Sequence, residues 1–468
     1  MARVTKSAPI SDSAPAALEP QEGCTGTHAQ RGSWFQNAGT GGTEVTRHPA
    51  RRAEKTVLRL AIYGHFGSQN IGNECTLRAV LVNLRKQMPE MTAFCVCSDP
   101  VVARQEHDVE AVAISVLDTF GNPNHTAKPR GLLRKLLHVV RRTLVGTSQQ
   151  LREMWRAYRL LKGVDTFVLV ATGMLEDSHG SNTWPLTIYR WTLAARLRRC
   201  RIIALGIGAG PFETRTRRVL STAILRTADY VSYRDQESKD CVSEAGLDTS
   251  RHTVVPDLAF SLPLRASSRA DGQLRNTPVV ALGVIDRSKF SSDARYRIYL
   301  EKLCAFAEVL IEEGSAVRVI HGDGLYDKES ILELRNIFAS KGALDDGRKL
   351  SIPPIASLDD LLTVLEDADI VVASRYHNMI LALMLAKPVI ALSYHWKFAS
   401  VMSRFNLSRY VQPVREFELS WLLERSRELL AEREDLAPEI RTAAEACRAS
   451  VMNQYRTVWE PARACRAG

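Results

Sequence analysis

At 468 residues the chain is longer than one ordinary hydrophobic core serves, so two or three folding units are expected. Its 45% apolar and 7% aromatic content is that of a globular enzyme, and no apolar run reaches the roughly 18 residues that a membrane span needs. A formal net charge of +10 favours contact with polyanions, anionic lipid or phosphorylated substrates without choosing among them.

Residues 1–55 are rich in Ala, Gly, Ser, Thr and Pro with little hydrophobic periodicity, which predicts a disordered tail. Order is expected from VLRLAIYGHFG, a short apolar run ending in glycine that suits a buried parallel strand. A helix follows, with Leu77, Val80, Leu81 and Leu84 on one face. TAFCVCSD, VDTFVLVATGMLED and RIIALGIGAGPF read as further strands, and ADYVSYRDQESKDCVSEAG as a strand end leading into a helix. Between them, KPRGLLRKLLHVVRRTLV (128–145) sets Lys128, Arg130, Arg134, Lys135, Arg141 and Arg142 against an apolar face, the pattern of a basic amphipathic helix. It suits an anionic membrane surface or a helix packed on the domain with a solvated basic side.

After a polar stretch near residue 266 the strand–helix alternation restarts with PVVALGVI, YLEKLCAFAEVLIEEG, AVRVIHGDG, SLDDLLTVLEDADIVVAS and NMILALMLAKPVIALSY. Two such series predict an α/β protein of two facing, Rossmann-like doubly wound domains, 56–265 and 266–410, with the ligand beyond the carboxyl ends of the strands. The remaining 411–468 is expected to be helical, with 418–458 reading as two helices that pack back across the hinge.

Three constellations suit chemistry. In GHFGSQNIGNE, Gly67, Asn70 and Gly72 lie between a strand and a helix, where backbone N–H groups accept anions or where the fold needs a tight turn. In SYRDQES, Arg234 leaves a strand end, positioned to grip a carboxylate or phosphate, or to pair with Asp235 or Glu237. The richest is DADIVVASRYHNMILALMLAKPVIALSYHWK. There two strand ends deliver Arg375, His377, His395 and Lys397 to one rim, with Ser374 suited to cap the intervening helix. Four groups able to carry positive charge at a helix start imply an anionic substrate. Asp177 and Asp257, each near a strand end, suit either a base toward a sugar hydroxyl or a local cap.

Together these segments resemble the polysaccharide pyruvyl transferase family. The resemblance runs from about residue 57 to 405 and rests on YGHFGSQNIGNE, ATGMLEDS, LGIGAGPF, VSYRDQESKDCVSEAGL followed by VVPDLAFSL, and SRYHNMILALMLAKPVIALSYHWK, in that order. It implies a fold similar to the GT-B glycosyltransferases and transfer of the pyruvyl group of phosphoenolpyruvate, commonly as a ketal, to a sugar of an envelope or secreted polysaccharide. It also implies that Arg375 and His377 form the donor motif, that Arg234 is a second donor-binding arginine with Lys397 nearby, and that His377 acts as an imidazolium acid. Asn73 stands where an aspartate is common, His395 where an acid is common, and ATGMLED where a run of glycines is usual.

Phosphoenolpyruvate is then the donor substrate, with no further cofactor and no metal expected, and the acceptor is a sugar, lipid-linked in the simplest case. The alternatives are a nucleotide-sugar glycosyltransferase of the same layout and a non-catalytic, anion-binding relative. Nucleic acid is not expected as a partner, because the basic residues concentrate in one segment instead of alternating with aromatics. The nine cysteines form no CxxC pair and read as reduced thiols, and no secretory apolar region is read at the N-terminus. A cytoplasmic protein is expected, peripheral at the membrane if 128–145 docks there.

Overall fold

A computed structural model describes residues 57–116, 148–170, 173, 175, 183–264, 277–342 and 349–467. The expected N-terminal tail, the basic 128–145 segment and Asp177 lie outside these residues. From Lys55 onward the chain forms one unit built on two parallel sheets.

The first sheet holds β1 (Arg59–Tyr63), β2 (Thr92–Cys97), β3 (Glu110–Ala113), β4 (Thr166–Val170), β5 (Arg201–Ile207), β6 (Tyr230–Tyr233) and β7 (Thr253–Val254), in the spatial order 3-2-1-4-5-6-7. The second holds β8 (Val279–Gly283), β9 (Ala316–Ile320), β10 (Leu350–Ser351), β11 (Ile370–Ala373), β12 (Val389–Ser393) and β13 (Val411–Pro413), in the order 10-9-8-11-12-13. Each order reverses once, between β1 and β4 and between β8 and β11, and ligands of doubly wound sheets bind at such reversals. The expected two-domain α/β architecture is present. The short strands β3, β7, β10 and β13 carry too little apolar pattern to be read from sequence, and β13 extends the second sheet past residue 410.

Central strands buried on both faces feed two cores. Leu60 and Ile62 of β1 join one cluster, while Ala61 and Tyr63 join the other, as the two-residue period of a strand requires. The first cluster is shared: α1 (Ile71–Gln87) of the first sheet contributes Leu77, Val80 and Leu84 to the same core as α7 (Asp293–Glu312) and α10 (Tyr376–Met384) of the second. Among the described residues the first half also holds α2 (Pro100–His107), α3 (described over 148–160), α4 (Thr183–Leu197), α5 (Arg215–Arg226) and α6 (Gln236–Glu244). The second half adds α8 (Lys328–Ser340), α9 (Leu358–Asp367) and α11 (Lys397–Arg404).

The two expected C-terminal helices are instead one, α12 (Leu419–Ala467), which continues through Pro438. A proline in a helix removes one backbone bond. Here it lies on the exposed side, while Leu422, Leu429, Ile440 and Val451 keep one buried stripe on both sides of it. The stripe packs on α7, α10, β11 and β12. Farther along, the Val458 carbonyl accepts from Arg201 Nη1 at 2.9 Å and Gln454 Nε2 donates to the Tyr230 hydroxyl at 3.2 Å, so α12 spans both sheets. Because the helix is continuous, Pro438→Ala should raise stability by roughly 1–3 kcal/mol in denaturant unfolding. An unchanged midpoint would mean that the helix breaks there.

Candidate active site

A cavity of about 310 Å3 opens between the carboxyl ends of the two sheets. Its first-sheet wall is the loop after β1. Gly67 has φ +73, and a Cβ there would lie 2.2 Å from the Asp99 carbonyl oxygen, so glycine is required for the turn. Its N–H donates to Glu74 Oε1 at 2.8 Å, and Gly67 does not line the cavity. Asn70 caps α1 by accepting from Asn73 N at 3.2 Å, while its Nδ2 donates to Asp323 Oδ2 at 2.7 Å. Ile71 N donates to the Gly322 carbonyl at 3.0 Å and Gly324 N to the Gln69 carbonyl at 2.9 Å. The Ile71 N–H and the Gln69 carbonyl thus dock the first half of the chain onto the turn after β9, and with the Gly67 N–H bonded to Glu74 neither of these N–H groups is offered to an anion. Gly72 has a different purpose from the one expected: a Cβ there would sit 2.0 Å from His377 Nδ1, so only glycine admits the imidazole at this spacing.

The second-sheet floor is organised by Arg375. Its Nε lies 3.2 and 3.0 Å from the two carboxylate oxygens of Asp327, its Nη2 also bonds Asp327, and Nη2 reaches Asp286 Oδ2 at 2.9 Å. Asp327 is fully buried and accepts from Gly322 N and Asp323 N at 3.2 and 3.1 Å. Burial works against the charge on Arg375, but the Asp327 carboxylate outweighs it and holds the guanidinium above its usual range. Two of the three guanidinium nitrogens are thus committed to carboxylates, and among the described residues no hydrogen bond uses Nη1. Arg375 itself is the N-cap of α10 without a side-chain cap bond. Ser374 is not a cap: it is buried, donates to the Gly283 carbonyl at 2.9 Å and lies 3.2 Å from the Tyr299 hydroxyl.

The remaining cations gather on aromatic faces. Arg234, 4% exposed and 3.3 Å from Asp235 Oδ2, stands 5.3 Å from the centre of the Tyr376 ring. Lys397 Nζ lies 5.2 Å from Tyr376 and 5.4 Å from Tyr394, and Lys289 Nζ lies 5.4 Å from Tyr394. Such contacts hold positive charge in a partly desolvated place. His377 sits beside them. Burial lowers its pKa to about 4; Asp257 pulls it up, while Lys397 and Arg234 push it further down. The ring is neutral at pH 7. Its Nε2 is buried and 3.9 Å from Asp257 Oδ1, whereas the Nδ1 side borders Gly72 at the cavity. Asp257 accepts from Ala259 N at 3.0 Å, capping the Leu258–Ser261 turn, and stands behind His377 without lining the cavity.

The cavity thus brings together Arg234, Arg375, His377, Lys397, Asn70 and Gly72 of the residues singled out above. His395 does not line it; its ring packs at a tilt against Trp396 with ring centres 4.3 Å apart, because the chain turns between β12 and α11 and aims Tyr394 and Lys397 inward instead. Sequence reasoning missed Asp286, Asp327, Lys289, Tyr376, Tyr394 and Asn378. The last is buried with neither amide atom bonded among the described residues. Asp286 lies just past the end of β8, which was the available signal, whereas Asp327 lies beyond the turn after β9 as the residue before α8. Of possible metal ligands, Glu74, Glu106 and His107 come together in a separate cavity, where Glu74 and His107 already pair at 2.9 Å.

A family model described as polysaccharide pyruvyl transferase matches residues 70–395. Solved structures share the fold. Anabaena HepE, in complex with UDP and glucose, is 12% identical with a TM-score of 0.55 over 86% of this chain and 99% of its own. A glycosyltransferase from Rickettsia africae is 10% identical with a TM-score of 0.54 over 87% and 98%. A UDP-GlcNAc 2-epimerase from Methanocaldococcus jannaschii is 12% identical with a TM-score of 0.50 over 80% and 93%. A search of curated proteins finds no match.

Two outcomes follow from this geometry. Asp327→Ala leaves a buried guanidinium short of its main partner and should cost about 3–5 kcal/mol in denaturant unfolding. A loss under about 1 kcal/mol, the ordinary value of an exposed pair, would refute the buried-pair assignment. The second concerns pH. His377, His252 and His321 are all held below 6.5 in the folded state, first by burial. The unfolded chain then binds more protons, so stability is complete above pH 6.5 and falls as pH drops from 6.5 toward 4. In thermal melts across that range His377→Asn should flatten part of the slope; an unchanged slope would show that His377 titrates normally.

Proposed function

Because the chain belongs to the polysaccharide pyruvyl transferase family, we propose that it moves the pyruvyl group of phosphoenolpyruvate onto hydroxyls of a sugar in a polysaccharide or lipid-linked oligosaccharide, forming a ketal. Membership makes it a transferase of polysaccharide biosynthesis with a sugar acceptor. The observation that carries the donor reading is the set of cations around Tyr376 and Tyr394 with a neutral imidazole beside them. A small ligand with two anionic groups suits such a floor.

Arg234, Lys397 and Lys289 take the phosphate and carboxylate, and Arg375 offers Nη1 while Asp327 and Asp286 keep its plane fixed. Two negative groups beside His377 offset the burial and the neighbouring cations that keep it neutral, so the imidazole gains a proton as the donor binds. Nδ1 delivers that proton to the methylene carbon. The electron pair of the double bond forms the new C–H bond and leaves C2 cationic. One sugar hydroxyl attacks C2 and its proton returns to His377; a second hydroxyl closes on C2 as phosphate departs with the remaining proton. Asp257 is a positioning residue that keeps the Nε2 proton on the buried side and Nδ1 toward the substrate. The acceptor reading extends to a lipid-linked sugar met at the cytoplasmic face of a membrane.

Calorimetric titration of phosphoenolpyruvate at pH 7 in buffers of different ionisation enthalpy should show uptake of about one proton per site, absent in His377→Ala. The same variant should lose roughly 10²–10⁴ in phosphate release with a lipid-linked oligosaccharide acceptor. Binding without uptake would remove His377 as the acid. Thermal stabilisation by a nucleotide sugar, with none by phosphoenolpyruvate, would favour a glycosyltransferase instead.

A further inference from the structure

We infer that the outer face of α3, together with the end of α4, is a docking surface for an anionic lipid bilayer. This surface stands apart from the chemistry in the cleft and does not depend on it. Leu151 and Trp155 are 70% and 60% exposed, one helical turn apart on the same side of α3. Trp155 stacks on Tyr158 with ring centres 5.8 Å apart and an interplanar angle of 22°, so its indole is held against the helix while one side stays open. Val116, 71% exposed, joins this end through its N–H, which donates to Glu153 Oε1 at 2.9 Å.

On the described residues of α3 the exposed charge has one sign. Arg152, Arg159 and Lys162 are exposed on the same stretch. The one acid between residues 148 and 163, Glu153, is buried and lies 3.5 Å from Arg156. The end of α4 adjoins it: Arg198 Nε donates to the Tyr158 carbonyl at 2.7 Å, and the Arg198 guanidinium lies 3.6 Å from the Tyr158 ring centre. That contact brings exposed Arg196, Leu197 and Arg199 to the same surface, with Arg196 3.7 Å from Asp229.

Isolated exposed apolar residues are ordinary on soluble proteins. A tryptophan and a leucine on one helical face, bordered by cations with no exposed acid among the described residues of that helix, form the pattern of an interfacial helix. Its rings enter the headgroup region while Arg and Lys meet anionic lipid. Topology gives the surface an orientation. The short link 161–165 reverses the chain between α3 and β4, so α3 runs antiparallel to the sheet. Its apolar beginning therefore lies toward the carboxyl ends of the strands, where the cleft opens.

The test is co-sedimentation of the full chain with vesicles of phosphatidylcholine alone and of phosphatidylcholine mixed with phosphatidylglycerol. Binding to the mixed vesicles only, weakened by salt, is expected. Trp155→Ala with Leu151→Ala should weaken it at least about tenfold, and Arg159→Gln with Lys162→Gln roughly thirtyfold. Circular dichroism and melting of each variant should match the parent, since these side chains are exposed. The inference is overturned by no binding to the anionic vesicles or by undiminished binding in both double variants. It is equally overturned by a concentration-dependent dimer that Trp155→Ala dissolves while vesicle binding persists, which would make the face a contact between copies of the chain.

Discussion

The buried ion pair between Arg375 and Asp327 is the interaction on which the rest of the site depends. Asp327 takes two bonds from Arg375 Nε and accepts the N–H groups of Gly322 and Asp323, which gives the turn after β9 its shape. That turn carries the Gly322 carbonyl and the Asp323 carboxylate that receive Ile71 and Asn70 of the first half. One charge pair therefore links the end of β11, the end of β9 and, through the turn, the start of α1. A buried pair of this kind contributes little net stability compared with an apolar substitute, but losing one partner is costly, and it fixes one arrangement among several.

The same pair changes how the anion site must be understood. An arginine at a strand end suggests a free fork reaching for phosphate. Here the fork is largely occupied, and the further positive groups are Arg234, Lys397 and Lys289, placed near the faces of Tyr376 and Tyr394. The placement keeps these groups partly desolvated, where each interacts more strongly with an arriving anion than it does in water. Burial first, and then Lys397 and Arg234, depress the basicity of His377.

The likeness to HepE and the other solved structures is one of frame. Two doubly wound sheets facing each other create a cleft at their carboxyl ends whatever reaction is housed there, and the chemistry is set by the side chains delivered to it. In this chain the second-sheet side delivers cations and aromatics, while the first delivers Arg234 after β6 and, from the loop after β1, the uncharged Ser68, Asn70 and Asn73.

Much of this was legible in the residues themselves. Buried parallel strands are continuous apolar runs, so β1, β5, β8, β11 and β12 announce themselves, and the residues just past them are the ones a doubly wound sheet brings to its cleft. Arg234, Arg375, His377 and Lys397 follow from that rule alone. Partners across the fold do not. That Gly72 exists to admit His377, that Asp327 claims Arg375 and that Asp257 backs Nε2 all depend on segments separated by some 50 to 300 residues meeting in space. His395 failed for a nearer reason: one turn after β12 decides which of the four side chains from Tyr394 to Lys397 face inward, and local sequence does not specify it. Nor does local sequence tell a helix-breaking proline from one carried on the solvent side of a long helix packed along both sheets. The sequence determined which residues are delivered to the rim, because strand periodicity is a local property. The tertiary structure alone decided which of them remain available to a ligand, because burial and charge pairing are set by distant neighbours.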